Sequence, residues 1–581
     1  MNPINHNLPD WFPPWAKQLA DLYYSGTTCL FVLHGNTHDL LRCPDGDGDR
    51  YCNVAEFLAG QLFGSWDVVL HYNLARGLRP LVGSDSARLQ NMMQFLSSRV
   101  SGEPATWPRD PDSVLLLLDK LIERNLIEDE PRRKSIGIIL DYAQYLTPSG
   151  DLNSYGRSQA TNLVRLLNWA QHPYIKRQNI AFCLLADKLS EVNDRLVQSP
   201  HVAAIPVPLP DQSERERFCN WVSKQIASPT AGLAASDIAG MANGLSLTNL
   251  NVLLTQGKRT GKPVETASFR QLKKTLIERQ CQGLLEFLEP GHQLDLVVGQ
   301  QAAKERLQQD AELITKGRLD AAPMGYLLCG PVGTGKTFMA ECYAGAIGIP
   351  CVKLRNFRSK YVGETEGNLE QVLTVLRSLG PVVVIIDEAD AALGTRQADG
   401  DSGTSSRVFA MIASQMGDTS YRGKIIWMLL TSRPELLPID LKRQGRAEVH
   451  IPLFYPQDEE EIRTMFLAMA RKNKIALPAD AVPGGLAGKG LSGSDIESVV
   501  LSAKRQALTS ARTDVRAEDV AEAFRQFLPS TQGLEKEAQE LAAVLECTQM
   551  DFLPAHWRAK VADRAHLQER LVAIQQLLEN K

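Results

Sequence analysis

One eight-residue segment narrows the fold more than any other feature of the chain. Gly330-Pro331-Val332-Gly333-Thr334-Gly335-Lys336-Thr337 follows the apolar run Gly325–Cys329 and precedes the periodic stretch beginning at Phe338. GxxxxGK[ST] between a strand and a helix requires a backbone that wraps tightly enough to point several N–H groups at one place, in front of a helix N-terminus. The edge of a parallel sheet with crossover helices provides that geometry. Residues Gly330 to Thr337 are therefore expected to cradle the phosphates of a nucleotide. Lys336 would reach the β- and γ-phosphates, and the Thr337 hydroxyl would sit on Mg²⁺.

A second apolar run, Pro381-Val382-Val383-Val384-Ile385-Ile386, ends in Asp387 and Glu388. A buried strand would deliver both acids beside the phosphate loop. Two adjacent carboxylates suit two tasks: Asp387 holding the Mg²⁺ shell and Glu388 orienting or deprotonating the attacking water. Further strands are expected at Gly325–Cys329, Cys351–Leu354 and Ile425–Leu430, and a helical block from about 457 to 528.

Beyond the fourth strand come Thr431-Ser432-Arg433-Pro434, then Arg443-Gln444-Gly445-Arg446, then Gly490-Leu491-Ser492-Gly493-Ser494-Asp495-Ile496. With the phosphate loop and the acidic pair, this order and spacing resembles the AAA clade of the AAA+ ATPases over roughly 290–530. The resemblance implies an ATP hydrolase with ATP and Mg²⁺ as cofactors, assembled as a homo-oligomeric ring, usually a hexamer. It implies that Arg443 and Arg446 act as arginine fingers toward a neighbour's γ-phosphate, where a guanidinium supplied in trans neutralises transition-state charge. Ser432 stands where the clade usually has a sensor asparagine; its shorter hydroxyl can still hydrogen-bond a water. Lys360 and Tyr361 lie in a segment similar to the clade's first pore loop, with Tyr361 gripping an extended polypeptide, and Gly394–Ser406 falls in the second pore-loop region.

Residues 1–285 follow the same order of strands and helices without the chemistry. After Cys29–His34 the chain continues Gly35-Asn36-Thr37-His38-Asp39, and the run Ile136–Asp141 ends in Asp141 followed by Tyr142. Gly240–Leu254 resembles the lid motif in degenerate form. The fold class expected is α/β: a P-loop NTPase parallel sheet with a helical lid, preceded by a degenerate α/β plus helical module, the two repeating at about 290 residues. The domains expected are 1–210, a helical 211–287, an ATPase domain 288–455, its lid 456–530 and a helical extension 531–581. Asp45-Gly46-Asp47-Gly48-Asp49 with Glu56 has the oxygen spacing of a calcium loop, but Arg50 stands where glycine is needed, so a polar surface loop is expected.

The 63 basic and 67 acidic side chains give a net charge of −4, which offers no global field for nucleic acid or anionic lipid. No apolar run approaches the ~20 residues of a membrane span, and no secretory leader is expected. Ten cysteines without paired spacing are expected as thiols, consistent with a cytoplasmic protein. HExxH and nucleophile-elbow motifs are absent, so proteolysis in cis is not expected. The function implied is an ATPase that remodels, unfolds or disassembles a protein client or acts with an adaptor. The alternatives are an ATP-gated assembly scaffold with slow hydrolysis and a nucleic-acid translocase.

Overall fold

In a computed structural model of the chain, the described residues are 8–45, 48–82, 85–99, 107–150, 155–225, 234–260, 266–288, 292–355, 364–393, 404–528 and 533–579. They form two compact units, one of residues 1–280 with 361–378 and one of 281–360 with 379–581. Among the described residues, no helix is long and apolar enough to cross a membrane.

The first unit is built on strands β1 (Leu30–Gly35), β2 (Leu40–Asp45), β3 (Gly48–Asn53), β4 (Val68–Asn73), β5 (Gly77–Pro80), β6 (Ile136–Leu140), β7 (Ile180–Ala186) and β8 (Val202–Val207). Six form one sheet in the order β5-β4-β6-β7-β1-β8, parallel except for the edge strand β5. The runs IGIIL and IAFCLLA are buried along their whole length, as parallel strands covered on both faces must be. The helices Gln212–Gln225, Ala235–Met241, Leu247–Thr260 and Thr266–Gln280 make the helical block that follows.

The second unit contains β9 (Leu285–Leu288), β10 (Gly325–Cys329), β11 (Cys351–Leu354), β12 (Val382–Ile386), β13 (Ile425–Thr431) and β14 (Val449–Pro452). The order is β14-β10-β13-β12-β11-β9, with β9 antiparallel at the edge. Leu285–Leu288 was not expected as a strand, and it pairs with β11 just before the proposed boundary at 288. Its four residues are too few for alternation to show. The helices Glu459–Lys472, Gly493–Thr509 and Ala517–Gln526 form the second helical block.

The two units share atomic details of one plan. Gly35 after β1 has φ +96°, and a Cβ there would lie 3.0 Å from the Val207 carbonyl; Gly330 after β10 has φ +143°, with the same contact to Leu453 at 2.3 Å. Asp141 and Asp387 each accept from the N–H of the following residue, and those residues, Tyr142 and Glu388, have φ of 56° and 48°. Ser246 and Ser492 each cap the helix opening the lid motif. Val207/Leu453, Asp141/Asp387 and Ser246/Ser492 are each 246 positions apart, whereas Gly35/Gly330 are 295 apart. The repeat of about 290 thus holds only between β1 and β10. The difference is extra chain in the first unit between β1 and β6, where the β2–β3 hairpin and the helix Pro111–Ile127 lie.

Cys43 and Cys52 correct the expectation of free thiols. Hairpin pairing sets Cys43 opposite Arg50 and Cys52 opposite Leu41, so the two sulfurs lie diagonally on one face and are bonded. In that hairpin Asp49 pairs with Arg42 at 2.6 Å.

In the first unit, the position of the phosphate loop holds a carboxylate. Asp39 is buried and accepts from Leu247 N–H (2.9 Å), Thr248 N–H (2.8 Å), the Thr248 hydroxyl (2.9 Å) and the Asn36 amide (2.9 Å). Leu247 and Thr248 open the helix Leu247–Thr260, so the anion occupies a helix N-terminus and ties the post-β1 loop to the helical block. Asp39→Ala would strand two amides and a hydroxyl. The expected loss is about 3 kcal/mol from the first unit, with Asp39→Asn between it and wild type. Six of the eight tryptophans lie in residues 1–280, so urea denaturation followed by their fluorescence measures it; an unchanged midpoint contradicts the assignment.

Candidate functional site

A cleft of about 500 Å³ opens in the second unit at the carboxyl ends of β10, β12 and β13, walled on one side by its helical block. This is where a parallel α/β sheet accepts ligands. Positive φ and close contacts dictate its glycines. Besides Gly330, Gly333 has φ +85° and a Cβ there would meet Ser492 at 2.9 Å; Gly335, φ +84°, turns the chain into the helix Lys336–Ile347. Gly493 N–H donates to the Gly333 carbonyl at 3.1 Å, joining loop and lid by a single backbone bond in place of the carboxylate knot at Asp39.

Lys336 Nζ donates to the carbonyls of Gly330 (2.8 Å) and Pro331 (2.9 Å), which holds the cation inside the loop. Burial pushes its pKa down to about 8, against the opposing pull of Cys329, Asp387 and Asp390. The Thr334 hydroxyl donates to the Pro331 carbonyl at 2.9 Å and fixes the turn.

Asp387 follows β12. Its Oδ2 lies 3.4 Å from the Thr337 hydroxyl and 2.6 Å from Lys353 Nζ. A hydroxyl and a carboxylate side by side are hard oxygen donors of the kind Mg²⁺ takes, so these residues fit that ion. Glu388 is exposed, with its backbone in the left-handed region at φ 48°. Asp390 accepts from the Thr431 hydroxyl at 2.6 Å, which in turn accepts from Arg433 N–H, and Ser432 lines the cleft beside them.

The two arginines differ. Arg443 is 61% exposed and lies 3.8 Å from Asp440. Arg446 is 13% exposed, donates to the Asp440 carbonyl at 2.7 Å and packs against Gly417. Burial and the adjacent Arg443 both lower its pKa. Lys360, Tyr361 and the segment 394–403 lie outside the described residues.

Several site residues carry no motif. Lys353 is the one charge in the strand CVKL, and a lone cation in a strand with buried neighbours implies a facing carboxylate. Tyr455 donates to the Val332 carbonyl at 2.9 Å, and the segment 296–300 lines the cleft opposite it. Gly299, with φ +68°, is the one glycine of that segment and the signal that could have marked a turn there.

Residues 326–455 match the model of the ATPase family associated with various cellular activities (AAA). Residues 8–208 match the N-terminal Rossmann-like domain of AAA+ chaperones, and residues 213–282 match the second helical domain of AAA+ chaperones. The chain is 29% identical over 300 residues to the uncharacterized AAA domain-containing protein ycf46 of Trieres chinensis, covering 50% of this chain and 59% of that protein. It is 28% identical over 251 residues to the ATP-dependent zinc metalloprotease FtsH of Hahella chejuensis (42% and 40% covered), and 25% over 297 residues to the cell division cycle protein 48 homolog of Archaeoglobus fulgidus (48% and 40%). It thus spans between two fifths and three fifths of the length of these relatives. The loop geometry, the acidic pair and these three matches together show that the chain belongs to the AAA ATPases, with a first half of the AAA+ chaperone type.

Proposed function

We propose that the second unit hydrolyses ATP to ADP and phosphate, that a neighbouring copy completes its site, and that turnover remodels a protein client. The observation that carries this reading is the convergence of Lys336, Thr337, Asp387 and Glu388 at one end of a single cleft. The loop amides and Lys336 bind the phosphate oxygens; Thr337 and Asp387 would hold Mg²⁺, which would supply charge neutralisation at the phosphates. The Glu388 carboxylate orients a water for in-line attack on the γ-phosphorus and accepts its proton as the bond to the β-phosphate oxygen breaks. Asp390, held by Thr431, keeps β12 and β13 in register at this point, and Ser432 hydrogen-bonds the same water.

Exposure selects Arg443 as the finger that reaches a neighbour, while Arg446, tied to Asp440, orients the Arg443 segment. The AAA+ chaperone character of the first half supports a protein client recruited there. A hexameric ring with Lys360 and Tyr361 facing a central pore remains part of the proposal. So does action in the cytoplasm, without a membrane or nucleic-acid partner.

Glu388→Gln is expected to lower kcat by about 10²–10⁴-fold while ATP affinity stays within a few-fold. Equal turnover in both proteins contradicts the assignment. Calorimetry should find one ATP site per chain, abolished by Lys336→Ala; two sites would mean the first unit also binds. Because free Lys336 titrates near 8 and phosphate favours its charged form, binding at pH 8.5 should take up a proton and weaken as pH rises further. Buffers of different ionisation enthalpy detect that uptake; no buffer dependence would refute it. Tyr361→Ala should keep ATPase activity and lose client processing, and retained processing favours the scaffold reading.

A further inference from the structure

The C-terminal residues 533–579 carry no motif and lie outside all three family matches. They fold as a helix Gly533–Glu546, a short connection through Ala555–Lys560, and a returning helix Arg564–Glu579. Leu541, Ala542, Leu567, Leu571 and Ile574 close the hairpin on itself. Phe454, which also walls the nucleotide cleft, is buried in the same cluster.

One stripe of the first helix meets the site at positions 536, 539, 543 and 546, which recur on one helical face. Gln539 Oε1 accepts from Val332 N–H at 3.1 Å. Tyr455 donates to the carbonyl of the same Val332, and Lys536 stands over the Tyr455 ring at 5.3 Å. The backbone of Val332 is therefore held at both its N–H and its carbonyl. In the middle, fully buried Ala543 brings its carbonyl to 4.0 Å from the thiol of Cys329, the last residue of β10. At the far end, Glu546 takes Lys442 Nζ at 3.0 Å and His450 Nδ1 at 3.3 Å. Lys442 also donates to the Pro434 carbonyl, closing the segment that runs directly into Arg443.

We propose that this hairpin is a brace which holds the phosphate loop for the nucleotide in cis and the Arg443 segment for the neighbour's nucleotide in trans, with Gln539 and Glu546 as positioning residues. The inference rests on the ATPase reading above. A fixed Val332 backbone presents a preformed loop, so losing Gln539 costs affinity. A fixed Lys442 hands Arg443 over at a set angle, so losing Glu546 costs turnover. A helix about 10 Å long between the two contacts links both functions in one rigid element.

The test is a split of steady-state parameters on the full chain. Gln539→Ala should raise KM for ATP about three- to tenfold, with kcat within twofold, and weaken a fluorescent ATP analogue equally. Glu546→Ala should lower kcat about tenfold with KM within twofold. Glu546→Gln, which keeps one acceptor oxygen for Lys442, should recover part of that loss. The brace is overturned if neither variant moves its parameter while wild type hydrolyses ATP, or if both variants lower kcat and raise KM alike in step with lost thermal stability. If wild type binds no ATP, the underlying ATPase reading falls, and the brace with it.

Discussion

Each sheet depends on a glycine pressed against a carbonyl. Where β1 and β10 end, a Cβ on Gly35 would crowd the Val207 carbonyl at 3.0 Å and one on Gly330 would collide with the Leu453 carbonyl at 2.3 Å. That approach lets the following loop cross the sheet edge and meet the lid, and it is common to both units. What differs is the chemistry placed on it. In the second unit the loop continues with glycines and one lysine, leaving amides free to converge on phosphate. In the first it continues to Asp39, whose charge is consumed by the lid helix itself. The same scaffold therefore carries a responsive cleft in one copy and a permanently satisfied one in the other.

Electrostatics within the second unit follow from this. Lys336 and Asp387 both line the cleft, so both signs are pre-placed there, and Lys353 pairs with Asp387 from β11. The two arginines illustrate how burial assigns roles to neighbours: the packed Arg446 cannot leave Asp440 without stranding its guanidinium, whereas Arg443 loses almost nothing by reaching outward.

The legible part of the molecule was the part where chemistry tolerates few residue types. Gly330, Lys336, Asp387 and Glu388 stand out because phosphate binding and water activation need those groups at those intervals. Eight parallel strands, β1, β4, β6, β7 and β10 to β13, were visible as apolar runs, whereas the parallel strands β8 and β14 were not. The strand β9 and the hairpin bond Cys43–Cys52 were not, because pairing register lies outside local pattern. Asp39 and Gln539 were invisible for a similar reason: their partners lie 208 and 207 positions away, and nothing in their immediate sequence announces them. The degenerate copy was recognisable in outline, but its 246-position register emerged only once Tyr142 and Glu388 were seen to share one backbone turn.

The central claim, that the active site is shared between copies, is tested most directly by mixing two disabled variants. Glu388→Gln lacks the water-directing acid but keeps Arg443; Arg443→Ala keeps the acid but lacks the finger. Each should be nearly inactive alone. Mixed under conditions that allow subunit exchange, they should recover ATPase activity, because some interfaces then pair an intact Glu388 with an intact Arg443. No recovery at any ratio, with exchange shown by labelled subunits and wild type active, would contradict a site completed in trans.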